Sequence, residues 1–419
     1  GVETIGDGAF RSCAMLEKIN IPLGVTEIGD SAFWGCKRLR NINIPQGVVS
    51  IGSSAFSRCG IEKIDIPLSL TSIGTNAFLH CSSLAAVTGE SADGRYIGSG
   101  NALIDTVGGK LLKYAPMHRA EEFDIPESVV TVEGYAFESA QYLKKISMTD
   151  SVTKIGESAF ENCTALEAIT LPQKITDIDS YAFRGCAALK SVELPPNLEN
   201  VSSLFPGCAS LESVTLPDLA ESISSDSFIG CKSLKNLKIS ADNKYYRVDS
   251  DGVLIANGLD GTENADLIVR YPSVRGGSYT VADSVGRIDD YAFDGAHLSS
   301  ISVPESLGGI GNYAFDGCPY LESVTVRGDL LSFKKNCMIG YGNTPFFRLL
   351  FGNMTDIDYS LIYADDGTEI SVNTAAYPSD ARVALVYTLR DGKINIKFGS
   401  CKLKTVWSFI EKETWENCK

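Results

Sequence analysis

The stretch IGDGAFRSCAMLEKINIP, residues 5–22, decides the fold because its pattern returns along most of the chain. It returns as IGDSAFWGCKRLRNINIP from Ile28, as IGSSAFSRCGIEKIDIP from Ile51 and as IGTNAFLHCSSLAAV from Ile73. Further units begin later in the chain, at Val132, Ile155, Ile178, Val201, Ile223, Ile288 and Ile310. The eleven units are 22 or 23 residues apart, except across two gaps of 59 and 65 residues.

The consensus of these units is I-G-x-x-A-F-x-x-C-x-x-L-x-x-I-x-I-P. A unit this short cannot bury its own apolar side chains, so successive units must stack and share one core, as in a solenoid. The alternation over residues 16–21 predicts one short strand per unit in a parallel sheet, which Pro22 ends because proline has no N–H. Ala9, Phe10 and Cys13 are spaced as in a turn of α-helix or 3₁₀-helix. We therefore predict an α/β repeat solenoid, a right-handed stack of coils with one short parallel strand per coil.

Nine of the 12 cysteines occupy the Cys column of the repeat, so their spacing bears on their chemistry. Neighbouring coils would lie about 4.8 Å apart, which is within disulfide range, but parallel Cβ directions would oppose bridging. Ala140 and Ala296 hold the same place in two units, as a packing residue allows and a metal ligand does not. The spacing favours a ladder of buried, inert thiols. Disulfides between coils, and metal or redox roles, remain the alternatives.

Composition excludes several classes of function. The net charge of −15 would repel a nucleic-acid backbone, and no apolar run is long enough to cross a membrane. The chain has three histidines and none of the common hydrolase or phosphate-loop motifs, so we predict a protein that is not an enzyme. We predict no cofactor and no metal site, since the segment from Asp249 to Gly252 lacks the spaced ligands of a calcium loop.

Two interruptions of the repeat, at about residues 88–125 and 240–281, resemble each other and each predict a β-hairpin on an enlarged coil. We predict a solenoid over residues 1–326 and a degenerate last coil over 327–344. Residues 345–419 are predicted to form a β-rich cap or a small module with a final helix; a solenoid end needs such a cap. Whether Cys401 and Cys418 pair is left open.

The consensus resembles the BspA-like, or Treponema-type, leucine-rich repeat, with proline standing where ordinary leucine-rich repeats keep an asparagine. The resemblance covers about residues 1–326 and implies a leucine-rich-repeat-like fold. It also implies an exported or surface-attached protein, with roles in adhesion and host contact and with no catalytic residues. We accordingly expect an extracellular or cell-surface location, with the export signal and the anchor outside this sequence.

Outward strand positions line one broad face, which is where repeat proteins commonly bind. Neither outward column contains an aromatic residue or an arginine, so a solvated face without a ligand is one interpretation. If the face binds, the first three coils are favoured, through a polar patch of Lys18, Asn20, Asn41, Asn43, Lys63 and Asp65. The hairpin tyrosines either recognise a partner or pack back onto the coils, with Tyr96, Tyr245 and Tyr246 as the candidate contacts beside Tyr114 and Tyr271.

The sequence leaves two main functions open. One is a binding protein that adheres to a protein or glycan on host or neighbouring cells. The other is a structural spacer that presents the C-terminal module and carries no ligand on the solenoid.

Overall fold

The computed structural model describes residues 1–258 and 265–328, together with five strands beyond them. The chain divides into two compact units, Gly1–Val248 and Asp249–Lys419. The predicted boundaries at residues 326 and 344 stay predictions. The predicted final helix and the residues Cys401 and Cys418 lie outside the described residues.

Each regular coil of the first unit contributes to two parallel ladders, which we call the first and second ladders in chain order. Strands of the first ladder end at the Ile or Val that opens the consensus. They are Thr4–Ile5, Glu27–Ile28, Ser50–Ile51, Ser72–Ile73, Thr131–Val132, Lys154–Ile155, Asp177–Ile178, Asn200–Val201 and Ser222–Ile223. Strands of the second ladder are Lys63–Ile66, Ala86–Gly89, Glu122–Asp124, Lys145–Ser147, Ala168–Ile169, Ser191–Glu193, Ser213–Thr215 and Asn236–Lys238. The prediction of a single strand per coil is wrong, because two residues are enough for the first ladder.

The turn that carries Ala, Phe and Cys is not helical. In the first coil the N–H groups of Ala9, Arg11 and Cys13 donate to carbonyls three residues earlier, at 2.9–3.1 Å. The intervening N–H groups of Gly8, Phe10 and Ser12 donate instead to the next coil, at 2.6–2.9 Å. Half of the donors are therefore committed between coils, which a helix would not permit. Among the described residues the only helix is the 3₁₀ turn Ser225–Phe228, so the α/β assignment is wrong and the unit is a parallel β-solenoid.

The core is a set of side-chain columns that run through the stack. Phe10, Phe33 and Phe56 stack with ring centroids 5.2 and 5.3 Å apart and nearly parallel planes. Every column thiol except that of Cys13 donates to the Phe carbonyl of the preceding coil, as from Cys59 Sγ to Phe33 O at 2.9 Å. All nine column cysteines are free; eight are buried and Cys13 is exposed. The prediction of buried thiols is confirmed for those eight.

The first interruption is a three-stranded antiparallel meander of Tyr96–Ser99, Ala102–Asp105 and Lys110–Tyr114. Its last strand pairs in parallel with Thr131–Val132 and so rejoins the first ladder. Tyr114 takes the place of a column Phe, since its ring stacks on Phe137 at 5.2 Å. Its backbone N–H also donates to Ala136 O at 2.7 Å, as Phe10 N–H does to Ala32 O.

The second interruption contributes Tyr246–Val248 to the first unit and Leu254–Ala256 and Asp266–Arg270 to the second. In the second unit these two strands pair antiparallel, and Asp266–Arg270 pairs in parallel with Val285–Ile288. Tyr271 stacks on Phe293 at 5.0 Å, so it too occupies the Phe column. The remaining strands are Gly277–Thr280, Leu298–Pro304, Gly309–Ile310, Ser323–Arg327, Met338–Ile339, Ile362–Tyr363, Glu369–Ile370, Val383–Arg390 and Lys393–Ser400.

Candidate binding surfaces

The predicted polar patch lies on exposed positions of coils 1 to 3. All six of its side chains are exposed, and Lys18 and Asn41 face each other in a parallel bridge. Lys63 Nζ lies 2.7 Å from Asp65 Oδ2, and Thr88 Oγ1 also donates to Asp65. The hydrogen bond from Lys63 holds the pKa of the Asp65 carboxyl below its ordinary value. The patch therefore offers three amide groups, the ammonium of Lys18 and one internally neutralised ion pair.

Beside this patch runs a column of alternating charge. Apart from Ala85, the residue just before each second-ladder strand is charged, and acidic and basic residues at this position pair across neighbouring coils. The pairs are Arg40 with Glu62, Lys144 with Glu121, Lys190 with Glu167 and Lys235 with Glu212, with N···O distances of 2.7–3.0 Å. In-register stacking would bring like charges together, so the alternation removes a repulsion that the fold would otherwise create.

Four of the five hairpin tyrosines pack into the protein. Tyr96, Tyr114, Tyr246 and Tyr271 are each at most 8% exposed, whereas Tyr245 is 37% exposed. The rings of Tyr96 and Tyr246 fill the core, which is the second of the two alternatives that the sequence leaves open for the hairpin tyrosines. Tyr245 remains available, with its hydroxyl 3.2 Å from Glu221 Oε1.

The hydroxyls of Tyr96 and Tyr246 have a structural role. Tyr96 Oη accepts from Ile73 N–H at 3.1 Å, and Tyr246 Oη accepts from Ile223 N–H at 2.8 Å. Ile73 and Ile223 end the strands Ser72–Ile73 and Ser222–Ile223. In both places a tyrosine oxygen takes the position of the carbonyl that the next regular coil would supply.

A cavity of about 260 Å³ lies where the first meander joins coils 4 and 5. It is lined by charged side chains that pair with one another, with Arg95 Nη2 3.1 Å from Asp105 Oδ2 and Lys110 Nζ 2.8 Å from Glu133 Oε1. Lys113 also lines it, with a side chain only 3% exposed. Burial lowers the pKa of Lys113, and the Glu138 carboxylate opposes that shift.

A buried lysine beside a cavity is a candidate catalytic residue, but the contacts of Lys113 favour a structural role. Lys113 Nζ donates to Tyr135 O at 3.0 Å and lies 3.7 Å from Glu138 Oε2. In the second unit Arg270 donates to Tyr291 O at 2.8 Å. An arginine is not deprotonated in proteins, so Arg270 cannot act as a base. The role that Lys113 and Arg270 share is therefore to donate a hydrogen bond to a carbonyl where the regular ladder is interrupted.

The turn segments of coils 1 to 3 carry a cluster that the sequence analysis missed. The guanidinium carbons of Arg11 and Arg58 lie over the ring of Trp34, 5.0 and 5.7 Å from its centroid. We call these three residues the tryptophan cluster. Within one unit these positions are variable. The cluster shows in the sequence only when units are compared, because three coils in a row carry Arg or Trp between Phe and Cys.

Comparison with known proteins agrees with this architecture. A family model described as the BspA type leucine rich repeat region matches residues 3–100, 114–235, 201–247 and 276–374, in six copies. The chain belongs to the BspA type leucine-rich repeat family. A comparison with curated proteins finds no match.

Three solved structures are similar to this chain. A leucine rich cell surface protein from Faecalibacterium prausnitzii is 32% identical, with a TM-score of 0.51, over 57% of this chain and 70% of that one. A leucine-rich repeat protein from Eubacterium ventriosum is 24% identical, with a TM-score of 0.53, over 78% and 82%. The pneumococcal vaccine antigen PcpA is 22% identical, with a TM-score of 0.52, over 78% and 72%. The last two show the fold alone.

Within the described ranges, none of the helices has the length and apolar character that crossing a bilayer requires. Over the same ranges, no group of three or more His, Cys, Asp or Glu side chains is placed to hold a metal ion.

Proposed function

We propose that this protein is a non-catalytic binding protein, secreted or exposed on a cell surface, that adheres to a protein or glycan through its repeat units. The observation that carries the proposal is the polar patch, whose six exposed side chains come from three consecutive coils. Repeat proteins bind through such surfaces because stacking gives many side chains one fixed spacing. The surface location is supported by the family and by the similarity to the Faecalibacterium prausnitzii cell surface protein.

The test is a solid-phase binding screen of the whole chain against extracellular-matrix proteins, mucins and a glycan panel. Any partner found is then measured against Asn41→Ala with Lys63→Ala on the polar patch. The matched control is Glu27→Ala with Ser72→Ala, which changes exposed residues of the first ladder. We expect the patch variant to weaken binding at least about tenfold and the control to change it less than about twofold.

A spacer that presents the C-terminal segment is the second candidate function. It is favoured by the internally paired charge column, which leaves that edge of the first unit without free charge at the paired positions. A partner that binds the whole chain, with an affinity that neither pair of substitutions changes, would support the spacer. A partner lost only with the patch variant would support the adhesion protein.

A further inference from the structure

The tryptophan cluster places two exposed arginines over one aromatic ring. Several other arginines lie against carboxylates, as in Arg38 with Glu17 at 3.5 Å and Arg40 with Glu62 at 3.0 Å. Among the described residues neither Arg11 nor Arg58 forms an ion pair. Their guanidiniums are therefore not neutralised by a neighbouring carboxylate, in a chain with a net charge of −15.

The ring of Trp34 lies within cation–π distance of both guanidiniums, at 5.0 and 5.7 Å from its centroid. Arg11 comes from the coil before Trp34 and Arg58 from the coil after it. A guanidinium stacked on an aromatic face keeps its N–H edge free for hydrogen bonds in its own plane. That edge matches a carboxylate bidentately, and the prior stacking reduces the side-chain entropy lost on binding.

The spacing of the two guanidiniums fits an extended peptide. Neighbouring coils are about 4.8 Å apart, so groups on alternate coils are separated by roughly 10 Å. An extended chain advances about 3.3 Å per residue, so carboxylates about three residues apart would span that distance. An acidic sugar fits less well, because a sugar ring stacks on an open aromatic face and two guanidiniums already lie over the ring of Trp34.

We propose that the tryptophan cluster is the recognition site for an acidic segment of a partner protein, with Arg11 and Arg58 each holding a carboxylate. This inference rests on the proposed binding function and names a surface and a partner chemistry for it. The cluster uses arginine and tryptophan, which anchor many tight interfaces and which the outward strand columns lack.

Ionic strength decides how the site is tested. The net charge of −15 repels an acidic ligand at low salt. At physiological ionic strength the Debye length is about 8 Å, so distant carboxylates are screened while direct contacts remain. Binding is therefore measured at physiological salt.

The experiment follows the fluorescence anisotropy of a fluorescein-labelled hexaglutamate peptide titrated with the whole chain. We expect Arg11→Gln with Arg58→Gln to weaken binding about tenfold or more, through the loss of two charge-assisted contacts. Trp34→Ala keeps both charges but removes the stack, so binding should weaken about threefold or more. Arg38→Gln with Arg40→Gln removes two arginines that already have carboxylate partners, and it should change binding less than about twofold.

Arg11→Lys with Arg58→Lys keeps the charge and loses the planar fork, so it should bind between the wild type and the glutamine variant. Heparin is titrated in parallel. The proposal is overturned if hexaglutamate does not bind, if the glutamine variant binds it as the wild type does, or if only heparin binding depends on the two arginines. In those cases the proposed binding function would still hold if a matrix partner binds through the polar patch.

Discussion

At the scale of the residue, the column cysteines act as packing groups that also close a hydrogen bond. Each buried thiol donates to a Phe carbonyl of the neighbouring coil, at 2.9–3.3 Å. Burial raises the pKa of the Cys81 thiol to about 12, and it raises the pKa of Cys208 well above the ordinary value. Because the thiolate is the reactive form, these sulfurs are inert at neutral pH.

We therefore predict selective labelling of the column thiols. Iodoacetamide applied to the native protein should modify Cys13 and leave Cys81 and Cys208 unmodified, whereas all three should react in urea. Peptide mapping by mass spectrometry measures the modified fraction at each site. Native labelling of Cys81 at the rate of Cys13 would show that the thiol is not held in the core.

Lys113 gives a second prediction at the residue scale. Lys113→Ala removes a buried cation and leaves Tyr135 O and the Glu138 carboxylate uncompensated, so unfolding should become easier by about 3 kcal/mol. Lys113→Arg should cost less than about 1 kcal/mol, because Arg270 makes the equivalent contact in the second unit. Urea titration measures both free energies of unfolding. Equal losses in the two variants would contradict the structural role.

At the scale of the element, each of the two interruptions supplies a tyrosine hydroxyl that accepts from the last N–H of a first-ladder strand. The free energy lost on removing that oxygen tests this arrangement. Tyr246→Phe should cost about 1–3 kcal/mol because it leaves the buried N–H of Ile223 without an acceptor. Tyr114→Phe should be neutral or stabilising, since Tyr114 Oη is buried with no hydrogen-bond partner among the described residues.

The same urea titration separates these two outcomes, with Tyr245→Phe as an exposed control that should change stability by less than about 0.5 kcal/mol. If Tyr114→Phe lowered the free energy of unfolding as much as Tyr246→Phe, the loss would come from packing and not from the hydroxyl. The hydrogen bond from Ile223 N–H to Tyr246 Oη would then not account for the effect of Tyr246→Phe.

The sequence was sufficient for the elements that repeat and insufficient for those that depend on a neighbouring coil. The period, the Phe and Cys columns and the proline stops follow from single units. The two-residue strands such as Thr4–Ile5 show no alternation, and the spacing of the turn predicts a helix because N–H donation from Phe10 to the next coil is invisible in one unit. The polar patch follows from the two outward columns of the repeat, whereas the tryptophan cluster becomes visible only when three coils are placed side by side.

At the scale of the whole molecule, stacking concentrates titratable groups in the core. Buried thiols accumulate because most coils repeat the Cys position, and a tyrosine replaces the column Phe at Tyr114. Burial raises the pKa of both Tyr114 and Cys81 to about 12. In the unfolded chain these groups titrate near 8.5 and 10. Raised folded values mean that the stabilisation is complete below the unfolded pKa and is lost as the pH rises toward the folded one.

Alkaline pH should therefore unfold this protein earlier than its size suggests. At pH 10 a thiol with a folded pKa of about 12 costs about 2 kcal/mol, because the unfolded chain has released that proton and the folded chain has not. A cost of about 2 kcal/mol is large against the 5–15 kcal/mol stability of a typical domain. Burial raises the pKa values of Cys186 and Cys208 as well, so these thiols act in the same direction, whereas the lowered pKa of Lys113 opposes them. We expect circular dichroism to show unfolding between about pH 9 and 11. The free energy of unfolding should fall between pH 7 and pH 9, and Cys81→Ala should make that fall smaller by about 1 kcal/mol. If Cys81→Ala left the fall unchanged, the Cys81 thiol would titrate normally in the folded protein.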